Sequence, residues 1–121
     1  MGNPFVYVEL HSTDPGKAQE FYGALLDWEF EAIDLPTGPY TFIKPGDGTP
    51  GGLTAHQNPN GPSHWLAYIT VDDIDAASEK ARTLGAEILQ EKTEVPSMGW
   101  FSVIADPTGA QIALWQAAPG S

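Results

Sequence analysis

The sequence predicts an α+β fold built from two tandem βαβββ modules. Three observations predict it: short runs of alternating apolar and polar residues, two capped helical stripes, and a near-constant offset that lays one half on the other.

Each element has a local reason. In Phe5 to Leu10, Val6, Val8 and Leu10 share one face while Tyr7, Glu9 and His11 take the other, the period of a strand resting on a core. Asp14 then supplies an N-cap and Pro15 a first helical residue. Ala18, Phe21, Tyr22, Leu25 and Leu26 follow at helical spacing as one apolar stripe. Trp28 to Ile33, Tyr40 to Lys44 and Leu53 to His56 read as strands, separated by turns at Pro36–Pro39 and Pro45–Gly52. The pattern then restarts with a strand at Trp65 to Val71 and a cap at Asp72-Asp73. A stripe of Ile74, Ala77, Ala81 and Leu84 follows, and Gly85 stops the helix. Ala86 to Gln90, Trp100 to Ala105 and Gln111 to Gln116 complete the second set of strands.

A shift of 59 places Tyr7 on Leu66, Asp14 on Asp73, Ala18 on Ala77 and Leu25 on Leu84. A shift of 61 places Tyr40 on Phe101, Ile43 on Ile104, Gly48 on Gly109 and Leu53 on Leu114. The expected organisation is one domain over 1–121, with modules at 5–57 and 64–117 joined by the linker Asn58-Pro59-Asn60-Gly61-Pro62.

Composition excludes several functions. At 121 residues the chain is one domain's length and buries roughly two thirds of its unfolded surface. No apolar run approaches the roughly 20 residues that span a bilayer. Met1 leads into a strand-like segment without a signal-peptide pattern, so a cytoplasmic protein is expected. The absence of cysteine removes disulfides, thiol nucleophiles and cysteine-ligated metals. Sixteen acidic residues against five basic ones leave a net charge of −11, which disfavours nucleic acid and anionic membranes as partners.

The duplicated pattern resembles the vicinal oxygen chelate (VOC) superfamily, which includes glyoxalases, bleomycin-resistance proteins and dioxygenases. The resemblance runs from Phe5 to Gln116. It is carried by Asp14 with Phe21-Tyr22 and Leu25, by Gly51-Gly52-Leu53, by Val71-Asp72-Asp73, and by Asp106-Pro107-Thr108-Gly109 before Ile112. It implies a curved eight-stranded mixed sheet around a cup-shaped pocket, with helices on the convex face, and a homodimer. It does not choose a reaction, since such folds host many.

Enzymes of this superfamily hold one divalent metal with His, Glu or Gln on the first and last strand of each module. Aligning the motifs puts those four positions on Tyr7, Gly52, Leu66 and Ala113. Leucine, glycine and alanine have no donor group, and a phenol with an ordinary pKa near 10 is a poor ligand at neutral pH. No divalent metal and no other cofactor is therefore expected. A displaced site built from His11, His56 and Glu9 is the metal-binding alternative, since parity puts all three on the Tyr7 side.

No phosphate-binding loop or serine-hydrolase elbow is present; the glycine-rich stretch 46–52 lacks the required Lys-Ser/Thr. Catalytic candidates are Glu9, as a desolvated base, and His56. Parity sends Tyr7, Glu9, Gly52, Thr54 and His56 from the first module into the pocket. From the second module it sends Leu66, Tyr68, Ala113 and Trp115, and Trp100 is expected to join them from the neighbouring strand.

A wall of this kind suits a small organic ligand, aromatic or cationic, held by stacking, cation–π contact and a few hydrogen bonds. Two functions remain open. One is a metal-free protein that binds an aromatic or antibiotic-like molecule, as in the bleomycin-resistance branch. The other is a VOC-type lyase, isomerase or dioxygenase, with a displaced metal or with Glu9/His56 acid–base chemistry. An interaction module using exposed strand edges is a third reading.

Overall fold

The computed structural model describes residues 2–36, 38–56 and 61–119. Thr37, in the first expected turn, and Asn58-Pro59-Asn60, in the expected linker, lie outside the described residues. The elements run β1 (Phe5–Ser12), α1 (Pro15–Leu25), β2 (Glu29–Leu35), β3 (Gly38–Lys44), β4 (Gly51–Ala55), β5 (His64–Thr70), α2 (Ile74–Thr83), β6 (Glu87–Val95), β7 (Gly99–Ala105) and β8 (Gln111–Ala117). Among the described residues this is the strand–helix–three-strand order twice over, an α+β fold of eight strands in mixed pairings with two helices. Among the described residues, no helix is long and apolar enough to cross a membrane.

The chain divides into two compact units, Tyr7–Leu66 and Met1–Val6 with Ala67–Ser121. In the first, the strands are ordered β2-β3-β4-β1. β1 and β4 are parallel, with Val8 opposite Gly51 and Glu9 opposite Gly52, while β2–β3 and β3–β4 are antiparallel. Leu10, Ile43 and Leu53 form the core, and Ala18, Tyr22, Trp28 and Phe30 pack on it. Asp14 caps α1 by accepting from the Lys17 amide at 3.1 Å, and Ser12 Oγ accepts from the Asp14 amide. Only part of the expected apolar stripe is used: Ala18 and Tyr22 meet the core, whereas Phe21 and Leu25 stay exposed.

In the second unit the order is β5-β8-β7-β6. β5 and β8 are parallel, with Tyr68 opposite Ala113; β7–β8 and β6–β7 are antiparallel. Ile74, Ile104 and Leu114 make its core, joined by Ile69, Ala77, Ala81 and Ile112. Asp73 caps α2 through the Ala76 amide, and the Gln116 side chain accepts from the Ile74 amide at 2.8 Å. Leu84, placed by the sequence in the apolar stripe, is exposed at the helix end.

β6 runs five residues beyond the expected Gln90. Its polar second half has no periodic signal, and it pairs with β7 through two register shifts. The outermost strands carry Glu29, Glu31 and Asp34 on β2 and Glu87, Glu91 and Glu94 on β6. Carboxylates there deter pairing with another chain. The Asp106-Pro107-Thr108-Gly109 motif is a turn device. The Asp106 carboxylate accepts from the Thr108 amide, the Thr108 hydroxyl and the Ala110 amide, which hold it below the usual carboxylate range, and Gly109 takes a φ of +95°.

Candidate ligand-binding site

Strand alternation sorts the unit Tyr7–Leu66 into two faces. Leu10, Ile43 and Leu53 pack under α1, so Tyr7, Glu9 and His11 on β1, Tyr40 and Phe42 on β3, and Gly52 and Thr54 on β4 point the other way. On that opposite face a polar chain forms. The Tyr7 and Tyr40 hydroxyls are 2.7 Å apart, Tyr40 donates to Glu9 Oε2 at 2.6 Å, and His11 Nε2 stands 2.8 Å from Glu9 Oε1. The last contact is an ion-pair distance without hydrogen-bond alignment, since His11 Nε2 is buried with no aligned partner. Glu9 itself is buried.

Gly52 makes room for the two phenols. A Cβ there would collide with the hydroxyls of both Tyr40 and Tyr7 and lie 2.6 Å from Tyr40 Cζ. A glycine at this position therefore goes with the tyrosine pair.

The phenols are held protonated. Burial above all, and then the Glu9 charge, push Tyr7 up to about 12, against the opposing effect of its bond with Tyr40. Tyr40 is raised further, by burial first and by Glu9 next. In an unfolded chain both would ionise near 10. The native state thus keeps protons that the unfolded state releases. The stability they contribute is complete below about pH 10 and is lost as pH rises toward 12. The urea midpoint should fall across that interval, and less steeply in Tyr7→Phe than in the wild type. Equal slopes would show that Tyr7 does not carry the effect.

The three histidines gather at the end of this face. His11 stacks on His64 with centroids 5.0 Å apart and rings parallel within 2°, and His56 meets His64 edge-on at 5.1 Å. His64, on β5, was not among the sequence candidates. Thr54 and His56, which were, also border a pocket of about 260 Å³ with Pro15, Pro39, Thr41 and Leu53. On the α1 side a second pocket of about 290 Å³ is lined by Val8, Trp28, Ile43, Pro50 and Trp65.

In the other unit, Tyr68 lies beside Ala113, with the Phe101 ring 6.1 Å away, and Phe101 is opposite Trp115. The Trp115 indole runs close over Gly99, where a Cβ would be 2.8 Å from Cζ2. Leu66, the last residue of the unit Tyr7–Leu66, is buried at 3% exposure.

Trp100 is a correction. It packs against the α2 core with Ile104 and Leu114, and the Lys92 ammonium sits 5.4 Å over its ring. The register of β7 on β8 puts Phe101 on the Tyr68 face instead. Tyr40 was also missed as a site residue. One signal could have found both, because the 61-residue shift pairs Tyr40 with Phe101, and each lies an odd number of residues from its module's core isoleucine, Ile43 or Ile104.

The residues at the four superfamily ligand positions do not fit a metal. Leu66, Gly52 and Ala113 offer no donor side chain, Tyr7 keeps its proton, and the space beside Gly52 is filled by phenols. Among the described residues, no three His, Asp or Glu side chains are grouped to hold an ion; His11 and His56 each meet His64 by ring contact.

These features define a duplicated βαβββ protein in which Gly52, Leu66 and Ala113 carry no donor side chain. Residues 7–115 match the family model of the glyoxalase-like domain, and the chain belongs to that family within the VOC superfamily. It is 34% identical over 115 residues to CFP32 of Mycobacterium tuberculosis, which carries a provisional glyoxylase name, a match covering 94% of this chain and 44% of that protein. It is 28% identical over 125 residues to the anthracycline biosynthesis protein DnrV of Streptomyces peucetius, covering 91% and 46%. The chain thus spans less than half the length of these curated relatives. Among solved structures, methylmalonyl-CoA epimerase from Mycobacterium tuberculosis superposes with a TM-score of 0.70 at 18% identity, covering 95% of this chain and 88% of the epimerase; at that identity the likeness shows the fold.

Proposed function

We propose that this chain is a small-molecule binding protein of the glyoxalase/bleomycin-resistance type, holding an aromatic or antibiotic-like ligand without a metal. The observation that carries this reading is the Tyr7–Tyr40 pair seated in the space beside Gly52, where a metal-ligand side chain would otherwise stand. The aromatic face of Tyr68, Phe101 and Trp115 supports it, since such rings bind flat organic molecules by stacking and burial. A relative named for anthracycline biosynthesis points to the same ligand class. Tyr7, Glu9, Thr54 and His56 are the proposed contacts on the face of the first unit; taken by itself, the second unit offers Tyr68, Ala113 and Trp115 on its own aromatic face. The protein would act in the cytoplasm and as a homodimer.

The first test is metal content by plasma mass spectrometry on untagged protein purified without chelator, followed by a ligand screen read by tryptophan fluorescence. The expected result is metal near background and a ligand whose affinity falls about tenfold in Trp115→Ala. Trp100→Ala should change stability and leave affinity alone, because Trp100 packs on the α2 side. Near-stoichiometric metal would overturn the reading.

An enzymatic reading, a lyase, isomerase or dioxygenase relying on Glu9 or His56, is favoured by one observation: the Glu9 carboxylate is buried beside a histidine. Both its oxygens are already engaged, by Tyr40 and by His11, which suits a structural role. Turnover that Glu9→Gln or His56→Ala abolishes while ligand still binds would establish this second reading.

A further inference from the structure

α1 covers only part of the face it packs on. Ala18 and Tyr22 lie on Leu10, Ile43 and Leu53, whereas Val8, two residues before Leu10 on the same face, is only half-buried. Gly51 is opposite Val8 on β1 and opposite Ile43 on β3, so the three residues form one row across β1, β4 and β3. That row floors the pocket of about 290 Å³, and among the described residues none from α1 borders it.

The middle of the floor has no side chain. A Cβ on Gly51 would come 2.6 Å from the Val8 carbonyl oxygen and 3.7 Å from Ile43 Cβ, so bare backbone lies between two branched side chains. Trp28 and Trp65 form walls near a right angle, with centroids 6.3 Å apart and planes at 78°. Tyr22 holds both: it stacks on Trp28 at 5.5 Å and meets Trp65 edge-on at 5.7 Å. Pro45 and Pro50 border the pocket from the β3–β4 loop, their backbone restricted by the proline rings. Walls set in advance lower the entropy cost of binding.

The lining is uncharged. Among the described residues that border the pocket, the side-chain polar groups are the Thr49 hydroxyl and two indole N–H groups. A charge placed there would lose water without gaining an ionic partner. An apolar void of roughly 150 Å³ holds one benzene ring. About 290 Å³ therefore has room for two fused rings.

We propose that this pocket is a second binding site, for an uncharged two-ring aromatic molecule of the size of indole or naphthalene. Planar rings suit a slot with backbone in its floor and indoles as its walls. The site lies on the opposite face of β1 from Tyr7 and Glu9, so it stands or falls apart from the binding reading above.

The test titrates the isotope-labelled whole chain with indole and follows the side-chain N–H signals of its four tryptophans, each assigned by its Trp→Phe variant. Trp28 and Trp65 should shift together and saturate with a Kd of about 1 mM or tighter, while Trp100, in the α2 core, stays still. An indole carboxylate and an aminomethylindole, charged on the same ring system, should each bind about tenfold or more weaker. Trp65 is 40% exposed, so Trp65→Ala removes a wall with little loss of core and should weaken indole about tenfold. Val8→Phe fills the slot from its floor and should abolish saturation; if it fails to fold, Trp65→Ala decides.

Shifts of Trp28 and Trp65 that stay linear to about 10 mM indole, or an affinity unchanged in the variants that fold, would overturn the site. A charged probe that binds as tightly as indole would overturn its ligand class. Saturation at Trp115 without Trp28 and Trp65 would also overturn the site, while supporting the binding reading.

Discussion

Gly52→Ala is expected to lower the free energy of unfolding by about 2–4 kcal/mol, an overpacking cost of 1–3 joined to a lost buried hydrogen bond worth about 1. The added methyl has no place to go. It would strike the hydroxyls of Tyr40 and Tyr7 and lie 2.6 Å from Tyr40 Cζ, so the phenols must separate and their 2.7 Å bond must break. Chemical denaturation measures the loss. A double-mutant cycle identifies its cause: in a Tyr40→Phe background one obstructing oxygen is gone, so the same substitution should cost less. A loss below about 0.5 kcal/mol, or equal losses in both backgrounds, would show that the phenol pair does not occupy that space in solution.

Ile74→Ala should cost about 2–5 kcal/mol in the same measurement, and Ile74→Val only about 0.5–1.5. Ile74 has 0% exposure at the first residue of α2, wedged among Ile104, Leu114 and the helix alanines. Its amide is held by the Gln116 side chain, which limits how far the helix can settle into a cavity. The 59-residue shift pairs Ile74 with Pro15, and α1 has no buried residue, so the two modules anchor their helices differently. A loss under about 1 kcal/mol for Ile74→Ala would mean that α2 does collapse onto the gap.

The legible part of this protein is its local part. Asp14 and Asp73 cap helices where the sequence places them, because a carboxylate two or three residues ahead of free amides needs no distant partner. The sorting of Tyr7, Glu9 and His11 away from Val8 and Leu10 follows from the period of a strand. The second half of β6 was not legible, because its polar residues carry no alternation and its pairing is supplied by β7. Trp100 was set on the wrong face although it lies an even number of residues from Ile104 and so shares the core side, and the pairing of Phe101 with Trp115 agrees. In the candidate site, the facing of Glu9, Tyr7 and Gly52 was readable, and that of Tyr40 could have been read from its spacing to Ile43; the contact of Tyr40 with Glu9 and the place of His64 in the histidine group were not.

By itself the sequence determined the duplicated βαβββ order, the family, and the absence of donor side chains at Gly52, Leu66 and Ala113, since each depends on residue identity and short-range spacing. Only the tertiary structure decided that Tyr40 bridges Tyr7 and Glu9, residues 33 and 31 positions away, that Gly52 leaves room for this, and that three scattered histidines meet. Those contacts depend on which strands pair and in what register. Register is set by the packing of whole faces, so no short stretch of chain encodes it.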